Sequence, residues 1–211
     1  YDPDYGSSFA AYSGNEEVRV NYWRHHARGR PTVICIHCWC GGYLPFEERI
    51  FGARFLYKMG FDVALITMPF HGSRTPRQAL FSGQLFPSRD VARCNEAFGQ
   101  AVADLRSLIT WLRTEQGSGP IGAMGISLGG YTTALLASLE PSLAFAVPIV
   151  APCSFADIMW HHGKGLVCEH SGGKIIPHDE MVALQQALIE LEHTFEAVPD
   201  ECEFGMVDMT N

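Results

Sequence analysis

Residues 125 to 129 read Gly-Ile-Ser-Leu-Gly, a G-x-S-x-G pentapeptide set between a run that predicts a buried strand and one that predicts a helix. A serine at such a junction can act as a nucleophile. A sharp strand-to-helix turn holds it in strained backbone geometry, with its hydroxyl pointing away from the sheet. The residues two before and two after must be small, because side chains there would collide across the turn. Gly125 and Gly129 meet that demand, and Gly130 adds room. The helix that follows places unpaired N–H groups and the positive end of a dipole beside Ser127. Its Thr132, Thr133, Ala134 and Ala137 are small enough for close packing on the sheet.

A second stretch that could do chemistry is CIHCWCGG, beginning at Cys35, which packs three cysteines and a histidine into six positions. Cys35 and Cys38 have the C-x-x-C spacing of a redox dithiol or half a zinc knuckle. A structural zinc needs about four ligands, and Cys94, Cys153, Cys168 and Cys202 are isolated, so no metal is expected. A redox dithiol belongs at a helix start. Cys35 lies instead inside TVICIH, an apolar β-branched run, where it counts as a small hydrophobe. HCWCGG then reads as the turn beyond that strand, with its chemistry in backbone N–H groups more than in thiols.

These residues need elements to hold them. EVRVNYWR, from Glu17 to Arg24, alternates as a strand does, and TVICIH and FDVALITM are nearly continuous apolar runs of strands buried on both faces. Between these two, helical spacing from about Phe46 to Met59 predicts one helix stopped by Gly60. Residues 70–89, rich in Pro, Ser, Gly and Arg, read as a long surface loop. From about Val91 to Arg113, Ala97, Val102, Leu105, Leu108, Ile109 and Leu112 mark a long amphipathic helix. IGAMGIS is the next buried strand, a helix from about Leu128 to Leu139 follows, and LAFAVPIV, Leu143 to Val150, is a fourth buried strand. The alternation predicts the α/β class: a mostly parallel central sheet with helices on both faces. Ligands of such sheets bind beyond the carboxyl ends of the strands, so the loops after His37, Met68, Ile126 and Val150 are expected to line one crevice. Residues 1–151 form the core of this arrangement, and 152–211 a cap-like or incomplete segment in which 178–196 looks helical.

The 211 residues suit one well-cored domain. A formal charge of −8 with scattered Lys and Arg excludes a nucleic-acid binder. No apolar run reaches the roughly 18 residues that would span a bilayer. No G-x-G-x-x-G follows a strand and no P-loop occurs, so no cofactor is expected. The chain opens at Tyr1 without Met or a signal-peptide pattern, which reads as a processed or trimmed form. Seven cysteines without disulfide-like spacing point to a reducing, cytoplasmic setting.

From about Glu17 to Ala151 the sequence resembles the α/β-hydrolase superfamily. Three segments in the expected order carry the likeness: IHCWCGG resembles an H-G-x-x-G-type oxyanion loop, MPFHGSR is similar to a P-x-H-G-x-S loop, and GISLGG is the serine turn. The resemblance implies that Ser127 attacks an acyl carbonyl and that the backbone N–H groups of Leu128 and Trp39 hold the oxyanion. Cys38 stands where such proteins usually carry Gly. The implied partner is a small-molecule ester or related acyl substrate, and Trp39, Tyr43, Phe46, Phe70, Phe81 and Phe86 in the candidate loops suit an acyl or aryl group.

A serine hydroxyl also needs a base oriented by an acid. The order Ser, acid, His implied by the resemblance leaves Asp157 as the candidate acid, with His161, His162, His170 or His178 to follow it. None of these stands out as the base. His193 reads as a helix-surface residue, and His37 and His71 as backbone hydrogen-bonders. Three readings stay open: an acid and base lying beyond Asn211, a compressed triad within this chain, or a fold kept for binding without catalysis.

Overall fold

The computed structural model describes residues 9–88 and 90–153. Strands β1 (Val20–Trp23), β2 (Thr32–Ile36), β3 (Asp62–Ile66), β4 (Ile121–Ile126) and β5 (Ala146–Ile149) form one sheet in the order β1-β3-β2-β4-β5. β2 lies parallel to both β3 and β4, β5 is parallel to β4, and β1 runs antiparallel to β3. The mostly parallel sheet expected from the strand–helix alternation is what forms.

Every residue of β2 and β3 is buried, because both faces of the sheet are covered and the pleat sends alternate side chains to each. Ile34, Ile36, Ala64 and Ile66 meet helices α3 (Val91–Thr114) and α4 (Leu128–Leu139) on one face. Val33, Cys35, Val63 and Leu65 meet Phe51, Ala53 and Leu56 on the other, around helices α1 (Leu44–Ile50) and α2 (Ala53–Lys58). All six apolar positions expected on the inner side of α3 are buried, and Asp90 caps it by accepting the Arg93 N–H at 2.9 Å.

Three local expectations are corrected. The single helix over 46–59 is two, starting at Leu44 and broken where Gly52 takes a left-handed conformation (φ 60°), which lets Phe51 turn into the core. The stretch 70–89 is far from a surface loop, since Phe70, His71, Arg74, Ser82 and Phe86 are all buried. Phe70 stands edge-on to Phe9 and Tyr12, and Phe86 edge-on to Phe98 of α3. Polar composition misleads there because its groups pair internally: the Gly72 N–H donates to Ser82 Oγ at 2.8 Å and Ser82 Oγ donates to the Gly41 carbonyl at 2.5 Å. The last strand is only Ala146–Ile149, and its residues are exposed or half-exposed where full burial was expected. Among the described residues it has a hydrogen-bonded neighbour on one side alone.

Arg74 anchors this packed loop. Its guanidinium is buried, with Nη1 donating to Asp104 Oδ2 at 2.7 Å and to the Thr67 carbonyl at 3.0 Å, and Nη2 to the Asn15 carbonyl at 2.7 Å. Burial raises the Asp104 carboxyl above its usual range in spite of the pull of Arg74. Asp104→Ala, which strands the guanidinium, is expected to cost about 3–5 kcal/mol in urea unfolding. Arg74→Met combined with Asp104→Leu should cost clearly less than the two single changes added together.

Candidate functional site

The carboxyl ends of β2, β3 and β4 carry the 37–43 loop, the 67–75 loop and the turn at Ser127, all at one end of the sheet. Ser127 has φ 54° and ψ −112° between β4 and α4, a region that costs a residue with a Cβ on the order of 1–3 kcal/mol. Surrounding structure holds it there. Its N–H donates to the Ile149 carbonyl and its own carbonyl accepts the Tyr131 N–H, both at 2.9 Å. A Cβ on Gly125 would overlap the Gly129 carbonyl, and one on Gly129 would run into the carbonyl of Ile36 at the end of β2. The side chains of Thr132 and Thr133 are buried and bond back to the Leu128 and Gly129 carbonyls at 2.9 and 2.7 Å, so the helix presents no unpaired hydroxyl to the sheet.

That crossing brings the serine turn against the start of the 37–43 loop, since Gly129 abuts the carbonyls of both Ile36 and His37. Leu128 is buried as the first residue of α4, and its N–H is one of those that open a helix without an intrahelical acceptor. Trp39 lies in a turn closed by the Gly41 N–H donating to the Cys38 carbonyl at 3.0 Å. Its indole Nε1 donates to the Gly83 carbonyl at 2.8 Å and its ring stands edge-on to Phe81. The left-handed residue of this turn is Cys40 (φ 63°), two positions after Cys38. The demand for a glycine-like conformation therefore falls beyond the position where Gly was expected.

The cysteines in and beside this loop stay protonated. Burial, helped by the Glu47 charge, pushes the Cys35 thiol up to about 12, and burial raises Cys38 and Cys40 as well. His37 Nδ1 donates to the Cys38 carbonyl at 2.8 Å and its Nε2 accepts the Met68 N–H at 3.1 Å, so one ring ties two loops together. His71 Nδ1 donates to the Pro69 carbonyl at 2.8 Å, and its ring lies 4.9 Å from that of His37. Burial lowers His37 to about 4, with Arg74 adding to the effect, and lowers His71 to about 3, with His37 the next cause. Both rings bond to backbone as the sequence suggested, and both are neutral.

Sequence reasoning overlooked Glu47. Its buried carboxylate accepts the Gly42 N–H at 2.9 Å and also the Tyr43 N–H, pinning the end of the 37–43 loop to the first turn of α1. The signal was an acid in a helix's first turn, hidden because the helix was expected to start at Phe46. The buried Arg74–Asp104 pair was missed too, for an Arg in a polar loop carries no mark of burial. Of the aromatics expected along the crevice, Phe70 and Phe86 belong to the core, while Tyr43 and Phe46 are exposed.

Among the described residues, no histidine or carboxylate hydrogen-bonds Ser127 Oγ. His37 uses both nitrogens elsewhere, and at about 3 His71 is too weakly basic to take a hydroxyl proton at neutral pH. Asp157, His161, His162, His170, His178 and His193 lie outside the described residues.

A family model described as "Alpha/beta hydrolase domain containing 18" matches residues 13–163. Uncharacterized proteins from the H37Rv and CDC 1551 strains of Mycobacterium tuberculosis are each 35% identical over 153 residues, covering 72% of this chain and 36% of theirs. The chain thus spans about a third of the length of the curated relatives it matches. Among solved structures, acetyl xylan esterase 1 from Thermoanaerobacterium sp. JW/SL YS485 is similar at a TM-score of 0.53 and 15% identity, over 83% of this chain and 59% of that one. The Pyrococcus furiosus esterase Pf2001 is similar at 0.51 and 19% identity, over 71% and 52%. At such identities these two likenesses speak for the fold.

Three sets of outcomes are expected from this geometry. The folded values of His37 and His71 lie below the ordinary 6.5. The stability their neutral rings confer is therefore complete above that pH and drains as pH falls through about 4 and 3. Urea unfolding across that interval should show a slope approaching two protons, and His71→Asn, whose amide can keep the Pro69 bond, should bring it nearer one. Gly129→Ala should lower stability by about 1–3 kcal/mol through its clash with the Ile36 backbone. Gly99→Ala, at an exposed position of α3 with nothing within 4 Å, should raise the thermal midpoint instead.

Proposed function

The chain belongs to the family described as alpha/beta hydrolase domain containing 18, and from that membership and the turn at Ser127 we propose that it is a serine hydrolase acting on an ester or related acyl bond. The observation that carries this reading is Ser127 itself. A positive φ at a residue with a side chain, held between two glycines that admit no Cβ, is strain kept in place by its surroundings.

In the reaction, a general base removes the Ser127 hydroxyl proton as Oγ attacks the carbonyl carbon, and the carbonyl π electrons move to oxygen. The N–H of Leu128, at the positive end of α4, and that of Trp39 stabilise that oxyanion. The intermediate collapses to an acyl-serine and a protonated leaving alcohol, and water then releases the acid by the same route. Asp157 is the candidate carboxylate, and no histidine is singled out as the base. His37 and Glu47 have positioning parts, for each hydrogen-bonds the backbone of the loop that carries Trp39, while His71 bonds the neighbouring 67–75 loop at Pro69. Burial lowers the basicity of both histidines, so neither ring gains charge near neutral pH while the base cycles.

A fluorophosphonate probe should label the full chain at a single serine, and Ser127→Ala should abolish labelling while leaving far-UV circular dichroism unchanged. With a p-nitrophenyl ester, the same variant should lose at least about a thousandfold in kcat. A folded chain that resists the probe and cleaves no ester would turn the reading toward a binding protein on this fold.

A further inference from the structure

We propose that the outer face of α1 and α2 is a docking surface for an anionic lipid bilayer. A core helix of a soluble domain hides its apolar stripe, and these two do not hide all of theirs. Tyr43, the N-cap of α1, recurs at helical spacing with Phe46 and Ile50 of that helix, and Phe55 of α2 does so with its C-cap Met59. These five side chains are 43–66% exposed. Several large apolar groups on two short, contiguous helices make a patch of the kind that marks an interaction site.

The cations name the occupant. Arg49, Arg54 and Lys58 are exposed within the same two helices, and none of the three has an ion pair among the described residues. Of the two acids there, Glu47 is buried on the Gly42 N–H, and half-buried Glu48 accepts from Asn21 Nδ2 at 3.5 Å. A chain of net charge −8 is repelled by an anionic surface in most orientations, so a cationic apolar strip selects the one that can approach. Aromatic and aliphatic side chains flanked by Lys and Arg are the composition of an element lying in the headgroup plane. A second copy of the chain fits less well, because a two-fold contact through this face would bring the cations of one copy into the same interface as those of the other. Docked this way, α1 would bring the 37–43 loop, which runs directly into it, toward the lipid.

The test is co-sedimentation of the full chain with vesicles of phosphatidylcholine alone or mixed with phosphatidylserine. Binding is expected to the mixed vesicles only and should weaken as salt is raised. Arg49→Gln, Arg54→Gln and Lys58→Gln together should lower it about a hundredfold. Phe46→Ser with Phe55→Ser should lower it at least tenfold without altering the thermal midpoint. Ser127→Ala should bind as the parent does, which separates docking from hydrolysis. The proposal is overturned by equal binding to both vesicle types, by no binding to either, or by a dimer in light scattering that Phe55→Ser dissolves.

Discussion

The fold turns on one close approach of backbones. Where β4 ends and α4 begins, Gly129 lies against the carbonyl of Ile36 on the neighbouring strand, and Gly125 against the carbonyl of Gly129. No side chain fits at either place, and α4 can start where it does only because none is present. With the helix seated there, Ser127 has little alternative to its left-handed φ, held by the Ile149 carbonyl on one side and Tyr131 on the other. The crossing also sets where the 37–43 loop departs, because the carbonyl of His37 is part of the same contact.

Around this crossing the loops are held by buried polar and charged groups. His37 bridges the Cys38 carbonyl and the Met68 N–H, and Glu47 gathers the Gly42 and Tyr43 N–H groups. Arg74 ties the 67–75 loop to α3 and to Asn15. Backbone groups that a buried loop would otherwise leave unpaired are thus satisfied by side chains from distant parts of the chain. The histidines can serve only as neutral rings, since an imidazolium there would face Arg74 with little water to screen it. For the two histidines the arrangement trades titratable behaviour for a fixed shape of the loops they hold.

The strands, the long helix and the serine turn were legible because their signals are local and repeated: apolar runs, a 3.6-residue period over 24 residues of α3, and small residues at fixed offsets from Ser127. Less legible was everything set by partners far along the chain. Residues 70–89 have the composition of an exposed loop, yet they bury Phe70 and Phe86, because Ser82 meets Gly41 and Asn15 meets Phe70 across long separations. Cys38 drew notice for standing where Gly was expected, while the strained residue is Cys40, since the turn closes from Cys38 to Gly41. The aromatics near the crevice could not be divided between core and surface until their neighbours were known.

The sequence by itself therefore determined the α/β layering, the position of Ser127 at a strand-to-helix turn and the strand burial of Cys35. Periodicity and side-chain size act over a few residues and need no knowledge of the rest. Tertiary structure alone decided that Arg74 and Asp104 are a buried pair, that His37 and His71 are locked neutral, and that the apolar residues of α1 and α2 look outward. Burial is a property of a residue's surroundings, and those surroundings are assembled from segments that the chain brings together only on folding.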